Sequence, residues 1–188
     1  MSEAILYREP PPEVRHEFAA HTQERARVCT IARTWLGTPF RDQGKVKGPN
    51  GCVDCAMLLV ATFQEAGLLD PAYEPRPYPP QFHLHKGEER FLNAIAGIIE
   101  ARGCGSEVQR APRAPIPGDV IVYRVGRCFS HGGIVVENDH VLHAYYKTQR
   151  VSLSPLSEIE LALLPDGKPR PHKLYDLWAP HHALRMSR

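Results

Sequence analysis

Apolar side chains recur at helical spacing in three segments of the chain. The first stripe contains Val28, Ile31, Ala32, Trp35 and Leu36. It predicts a helix that lays these side chains on the core and stops at Gly37. A second segment, from Asp54 or Cys55 to Ala66, is apolar on nearly every side, which predicts a helix buried all round. The third segment, 88–101, carries an apolar stripe ahead of Gly103 and predicts another helix.

The second half of the chain changes to strand-like runs. β-branched and aromatic residues concentrate at 119–125, 131–136, 141–146, 150–153 and 174–178. Asn138-Asp139 supplies a turn between the second and third runs. Helices followed by a series of strands predict an α+β domain, with helices packed on a central antiparallel β-sheet.

Two segments between these elements show neither the helical nor the strand-like spacing of apolar residues. Residues 38–53 are rich in Gly and Lys and are predicted to form a loop. Residues 70–87 are rich in Pro, which removes backbone donors and fixes the backbone, so a helix or a central strand is excluded there. We predict a surface insertion over 70–87 that shapes or covers a cleft.

Composition and charge limit the class of protein. The 188 residues are 43% hydrophobic and 23% charged, which predicts one globular domain over 1–188 with its core at about 25–178. The net charge of +2 gives no electrostatic footprint for nucleic acid or for a membrane surface. The amino terminus shows no secretory signal, and no run of about eighteen apolar residues occurs. We therefore expect cytoplasmic synthesis without a signal peptide, and no membrane insertion.

The stretch GCVDCAMLL at 51–59 places two cysteines three positions apart. The chain has five cysteines, an odd number, which predicts reduced thiols rather than a disulfide framework. A zinc site would combine Cys52 and Cys55 with Cys128 and His131, although the two halves are farther apart than in common zinc fingers and ribbons. A redox pair would follow a strand of a βαβ unit, whereas a loop is predicted here.

A nucleophile accounts for more of the neighbouring residues. Asp54 is a suitable helix N-cap and leaves Cys55 at the helix start. Unpaired N–H groups and the positive end of the helix dipole stabilise a thiolate at that position. The backbone N–H groups of Cys55 and Ala56 are available to bind an oxyanion.

Two histidines on predicted strands complete this hypothesis. His131 opens the run HGGIVV, whose paired glycines we expect to give a substrate access to the backbone. His143 lies on the next strand, where facing side chains are about 5 Å apart. The prediction is therefore Cys55 as nucleophile, His131 as base, and His143 as the group that fixes the imidazole tautomer.

Five blocks in order carry a family resemblance. They are GTPF (37–40), DCAMLL (54–59), PGDVIVY (117–123), SHGGIVVEN (130–138) and VLHAY (141–145). Together they resemble the NlpC family of papain-like cell-wall cysteine peptidases over roughly 25–178. In the spacing from GTPF to DC and in the lack of a secretion signal, the chain resembles the branch of this family found in phage tails and gene-transfer agents.

The resemblance implies a papain-like fold, with Cys55, His131 and His143 as the family's nucleophile, base and third polar residue. It implies no metal or other cofactor. It also implies that the substrate is an amide or isopeptide bond of peptidoglycan stem peptides, commonly next to D-glutamate and diaminopimelate, and that phage tail proteins are partners. Two positions depart from the family pattern: Phe40 replaces a tyrosine, and Ala56-Met57 replaces a small pair such as Ser-Gly. We expect Phe40, Asp54 and Ala56 to border the substrate or oxyanion. The alternatives are a structural tail-tip protein of the same fold with restricted activity, and the zinc site described above.

Overall fold

The computed structural model describes residues 12–78, 89–108, 113–137 and 139–180. Its helices are α1 (Pro12–Arg33), α2 (Cys55–Glu65), α3 (Arg90–Arg102) and the one-turn α4 (Ile159–Ala162). Its strands are β1 (Lys45–Val46), β2 (Cys52–Val53), β3 (Cys104–Glu107), β4 (Val120–Val125), β5 (Cys128–Glu137), β6 (His140–Tyr145), β7 (Arg150–Pro155) and β8 (His172–Pro180). No helix in these ranges is long and apolar enough to cross a membrane.

The main sheet has six strands in the order β3-β8-β4-β5-β6-β7, and every neighbouring pair is antiparallel. The predicted α+β class and the five predicted strands are confirmed. Strand β3 was missed because its sequence, CGSE, lacks apolar alternation; it forms as an edge strand through pairing with β8. The predicted turn includes Asn138, which lies outside the described residues.

Local signals set the helix boundaries. Asp54 caps α2, and Gly103 ends α3 in the left-handed conformation with φ of 67°. The first helix differs from the prediction, because α1 ends at Arg33 and a turn follows as far as Gly37. Leu36 is therefore 45% exposed instead of packed on the core, so its place in the apolar stripe was wrong. The predicted loop 38–53 contains the small β1–β2 hairpin.

The sheet has a different apolar cluster on each face. The larger cluster joins α1, α2 and α3 to one face, where Ile134 and Leu142 are fully buried. The smaller cluster lies on the other face and includes Val135, Val141 and Leu161 of the short helix α4. Alternation along β5 and β6 explains this division, since neighbouring residues of a strand point to opposite faces.

A buried carboxylate fastens α1 to the sheet. Asp119 has no exposed side-chain surface and binds Arg25 of α1 at 3.0 Å. Arg113 also binds Asp119 at 2.5 Å, and both guanidinium groups contact Asp176 as well, so two cations balance two carboxylates. This anchor lies outside the predicted site and has a structural role.

Candidate active site

Cys55 is the first residue of α2, as predicted from its position after Asp54. The Asp54 side chain accepts a hydrogen bond from the Met57 N–H at 2.8 Å, and the Asp54 carbonyl accepts one from the Leu58 N–H at 2.9 Å. The N–H groups of Cys55 and Ala56 lie near the sulfur and act to lower its pKa. The first turn of α2 therefore directs backbone donors at the sulfur.

The sulfur lies against β5 on both sides of His131. The Cys55 thiol donates to the carbonyl oxygen of Ser130, with 3.7 Å between Sγ and O, and the Gly132 N–H acts to lower the Cys55 pKa. Ser130 and Gly132 are the two sequence neighbours of His131. Contact between α2 and the β5 backbone thus places the Cys55 sulfur beside the main-chain groups on either side of His131.

Strand β5 has room for the sulfur because its pairing with β6 has ended there. The pairs run from Ile134 opposite Leu142 to Glu137 opposite His140. Val135 exchanges hydrogen bonds with Gly118 and Asp119 on the β4 side, so Gly132, three residues away, turns its N–H toward the β6 side. The Cys55 sulfur occupies a position that a β6 backbone group would otherwise take.

A β-bulge lies next to His131. Tyr123 of β4 pairs with His131, but Arg124 pairs with Phe129, so Ser130 is the extra residue in β5. Bulges change the direction of the strand and re-aim neighbouring side chains, and they are common beside active sites. This irregularity was not visible in the sequence, because strand periodicity does not specify register.

The two predicted histidines form a hydrogen bond. His131 Nε2 lies 2.8 Å from His143 Nδ1, and both side chains are buried. His143 Nε2 lies 3.1 Å from Ser154 Oγ on β7. Burial lowers the pKa of His143 to about 4, so this ring is neutral at neutral pH. Ser154 was not predicted from the sequence, because its link to His143 depends on the β6–β7 register.

The HGG glycines serve packing instead of substrate access. A Cβ on Gly132 would lie 2.8 Å from Phe91 Cζ, and a Cβ on Gly133 would lie 2.9 Å from His143 Cβ. Both positions are therefore filled by neighbouring groups, and the predicted backbone access for a substrate was wrong. The absence of a side chain at Gly133 leaves the space into which His143 fits.

Asp54 is held by donors from three directions. Besides the Met57 N–H, its carboxylate accepts from the Gln43 N–H at 2.7 Å and from the Tyr78 hydroxyl at 2.6 Å. Burial raises the Asp54 pKa, and these hydrogen bonds oppose that rise. The structure thus confirms Asp54 as the helix cap. Its predicted place beside the oxyanion stays a prediction, since the carboxylate is committed to protein donors.

Tyr78 is a residue that the sequence did not single out. It lies in the described part of the Pro-rich segment, which is also tied to the loop before α2 by Arg76 Nη1 donating to the Gln43 carbonyl at 2.8 Å. Burial and Asp54 raise the Tyr78 pKa, and the nearby Cys55 contributes to the same effect. Tyr78 thus bonds to the residue directly before the nucleophile. That 70–87 shapes or covers a cleft stays a prediction, and residues 79–87 lie outside the described range.

The surroundings of the Cys55 sulfur favour the thiol over the expected thiolate. Burial raises the Cys55 pKa, and the neighbouring Asp54 charge raises it further; the N–H donors oppose these effects but do not outweigh them. The prediction rested on the helix terminus and a neighbouring histidine. It omitted the low-dielectric surroundings that the tertiary structure creates around the sulfur.

A zinc centre does not assemble from the residues predicted for it. Cys52, Cys55, Cys128 and His131 are all described, yet no three of their ligand atoms come together; the group of potential ligands found in the described chain is Glu137, Asp139 and His140. The zinc alternative is therefore wrong in its ligand set. The five cysteines are free thiols, and the strand preceding α2 belongs to the β1–β2 hairpin and not to a βαβ unit.

The family model described as the NlpC/P60 family matches residues 37–161. This match covers more than half of the chain, including the Cys55 helix and both histidines. The chain belongs to the NlpC/P60 family. The predicted family is thereby confirmed, and so is its papain-like fold.

Solved structures share the fold of this NlpC/P60 protein at low sequence identity. NlpC2 from Trichomonas vaginalis is 15% identical, with 82% of this chain and 46% of that chain covered and a TM-score of 0.52. NlpC1 from the same organism is also 15% identical, with 82% and 44% covered and a TM-score of 0.52. The present chain thus spans less than half the length of these two proteins.

An N-acetylmuramoyl-L-alanine amidase from Bacteroides uniformis is 14% identical, with 82% of this chain and 99% of that chain covered and a TM-score of 0.50. A comparison with curated proteins gave no significant match.

The remaining predicted residues of this NlpC/P60 protein flank Cys55. Phe40 is half-buried against the main core, and its backbone bridges Val53, two residues before the nucleophile. Ala56 is buried next to Cys55 and contributes its N–H near the sulfur. Their roles toward substrate or oxyanion stay predictions.

Proposed function

We propose that this protein is a cysteine peptidase or amidase that hydrolyses amide bonds, including isopeptide bonds, in bacterial peptidoglycan stem peptides. The supporting observation is the contact of the Cys55 sulfur with the β5 backbone around His131, whose ring in turn bonds to His143 at 2.8 Å. These contacts support Cys55 as nucleophile, His131 as base and His143 as orienting group in acyl transfer through a thioester.

His131 Nδ1 is the atom that exchanges protons with the thiol, because Nε2 faces His143. As the Cys55 sulfur attacks the carbonyl carbon, the thiol proton passes to Nδ1. The N–H groups of Cys55 and Ala56 then stabilise the oxyanion. The amine leaves with the proton from His131, and a water molecule, deprotonated by the same nitrogen, hydrolyses the thioester.

The raised pKa of Cys55 affects when the thiol ionises. Because burial and Asp54 raise the Cys55 pKa and so favour the thiol, we place proton transfer to His131 in the same step as attack on the substrate. A neutral His143 accepts a hydrogen bond from His131 and thereby stabilises the imidazolium that forms. This sequence of events keeps an uncompensated charge out of the buried site.

Two observations support the choice of substrate. The chain belongs to the NlpC/P60 family, and a structure of the same fold with a TM-score of 0.50 is an N-acetylmuramoyl-L-alanine amidase. Peptidoglycan stem peptides contain the amide bonds on which the proposed chemistry acts. The finer preference for bonds next to D-glutamate and diaminopimelate follows only from the family resemblance.

Digestion of purified peptidoglycan tests the proposal. Wild-type protein should release peptide fragments detectable by mass spectrometry, and Cys55→Ala should release none. Cys52→Ala is the matched control, because it removes a free thiol three positions away that lies outside the proposed chemistry. Equal release by wild type and Cys55→Ala would contradict the proposal. The masses of the fragments identify the bond that is cut.

A structural protein with restricted activity is the second candidate. The raised pKa of Cys55 favours it, because a thiol reacts more slowly than a thiolate. If wild type and Cys55→Ala both release no fragments, this second function replaces the first. A place in a phage tail or gene-transfer agent, with tail proteins as partners, follows only from the resemblance of the sequence to that branch of the family. Detection of the protein in purified phage or gene-transfer-agent particles tests this prediction.

A further inference from the structure

The end of the histidine chain carries the further inference, which rests on the proposed function. His143 Nε2 lies 3.1 Å from Ser154 Oγ, and His143 Nδ1 lies 2.8 Å from His131 Nε2. Both nitrogens of a fully buried ring therefore face a polar partner. A neutral imidazole has one donor and one acceptor nitrogen, so the partner of one nitrogen restricts the role of the other.

The proposed reaction requires one of the two tautomers of His143. For His131 to act as base through Nδ1, its own Nε2 must carry a proton and donate it in a hydrogen bond to His143. His143 Nδ1 must then be the acceptor, which places the His143 proton on Nε2, facing Ser154. The requirement is the same after His131 becomes an imidazolium, because its Nε2–H still needs an acceptor.

We propose that Ser154 is a positioning residue whose hydroxyl oxygen accepts the Nε2–H of His143 and so keeps His143 Nδ1 as the acceptor for His131. Ser154 is half-buried, and its own hydroxyl hydrogen can therefore point to solvent while the oxygen accepts. The reverse arrangement, in which Ser154 donates to Nε2, gives His143 a proton on Nδ1. It forces His131 to carry its proton on the nitrogen that must accept from the thiol.

The low pKa of His143, about 4, supports a neutral ring that carries one proton, on either Nδ1 or Nε2. Packing holds the ring in its position, because the Tyr145 ring stacks on it with centroids 4.9 Å apart. Ser154 thus acts on the reaction through His143, without contact with the substrate.

Long-range proton–nitrogen correlation NMR on nitrogen-15 histidine-labelled wild-type protein reads the tautomer directly. A protonated Nε2 and an unprotonated Nδ1 on His143 are expected at neutral pH. The opposite pattern would overturn the inference. This readout needs no activity, so a wild-type protein that leaves peptidoglycan intact refutes the proposed function while the tautomer assignment still decides the role of Ser154.

Kinetics on a peptidoglycan fragment provide the second test. Ser154→Ala removes the acceptor for a buried N–H, and kcat should fall about ten-fold with KM unchanged, the effect expected for one lost hydrogen bond. Ser154→Thr keeps a hydroxyl and should restore kcat. Ser152→Ala is the matched control, since Ser152 lies directly opposite His143 but its hydroxyl bonds Thr148 Oγ1 at 3.2 Å.

An unchanged kcat in Ser154→Ala would overturn the inference, and so would an equal loss in Ser152→Ala. If Ser154→Ala does not fold, the His143 tautomer of the wild type and the kcat of Ser154→Thr still test the role of Ser154.

Discussion

Acid should destabilise this protein through His143. Burial lowers the pKa of this ring from 6.5 to about 4. Between these two values the unfolded chain binds a proton that the folded protein does not, so the free energy of unfolding falls as pH falls. The contribution of the neutral His143 ring to the free energy of unfolding is fully present above pH 6.5 and completely lost below about pH 4. At about 1.4 kcal/mol per pH unit, the loss over this window amounts to at most about 3–4 kcal/mol.

Urea denaturation at several pH values between 7 and 4 measures this loss. Asp54 acts in the opposite direction, because its raised pKa makes the folded protein bind a proton earlier than the unfolded chain. The informative quantity is therefore the difference between wild type and His143→Gln, which isolates the His143 contribution. The variant should lose less stability on acidification than the wild type.

His140→Gln provides the control, since it replaces a half-buried histidine on the same strand. Identical pH dependence of the wild type and His143→Gln would refute the argument from burial. A variant that loses more stability in acid than the wild type would refute it as well.

Three further predictions concern packing and charge around the site. Gly133→Ala would place a Cβ 2.5 Å from the Leu142 carbonyl oxygen, and it should lower the free energy of unfolding by about 1–3 kcal/mol in thermal denaturation. The control variant Gly97→Ala meets only the movable end of Tyr73 and should lower it less. Equal losses in the two variants would contradict this prediction. Tyr78→Phe removes the hydrogen bond to Asp54 and should lower stability by about 1–2 kcal/mol, with the melting temperature as the measurement and no change as the contrary result. Asp54→Asn removes a charge that raises the Cys55 pKa, so Cys55 should react faster with iodoacetamide at fixed pH; slower alkylation than in an Asp42→Asn control would contradict this.

Much of the site was predictable because its signals are local. An N-capping Asp54 before an apolar run predicts a helix start at Cys55, and the structure has that start. His131 and His143 lie on strands that β-branched neighbours identify, and in the structure a hydrogen bond joins their rings. The direct cross-strand opposition assumed for them was inaccurate. Extending the β5–β6 register places Gly133 opposite His143, so the two rings meet diagonally.

Other features depended on contacts between distant segments. Leu36 continues the apolar stripe in sequence, but α1 ends at Arg33 and leaves Leu36 exposed. Tyr78 reaches Asp54 from a Pro-rich segment whose path no periodicity describes. Ser154 reaches His143 through the β6–β7 register, and a shift of one residue would turn it to the other face.

The sequence by itself determined the order of helices and strands, the cap before Cys55 and the family, because these follow from periodicity, local hydrogen bonding and motif order. Only the tertiary structure decided the ionisation of the site. The Cys55 pKa is raised and the His143 pKa is lowered because packing removes both groups from water, and burial disfavours whichever form carries charge. Desolvation is the sum of contributions from residues far apart in the chain, so no local pattern encodes it.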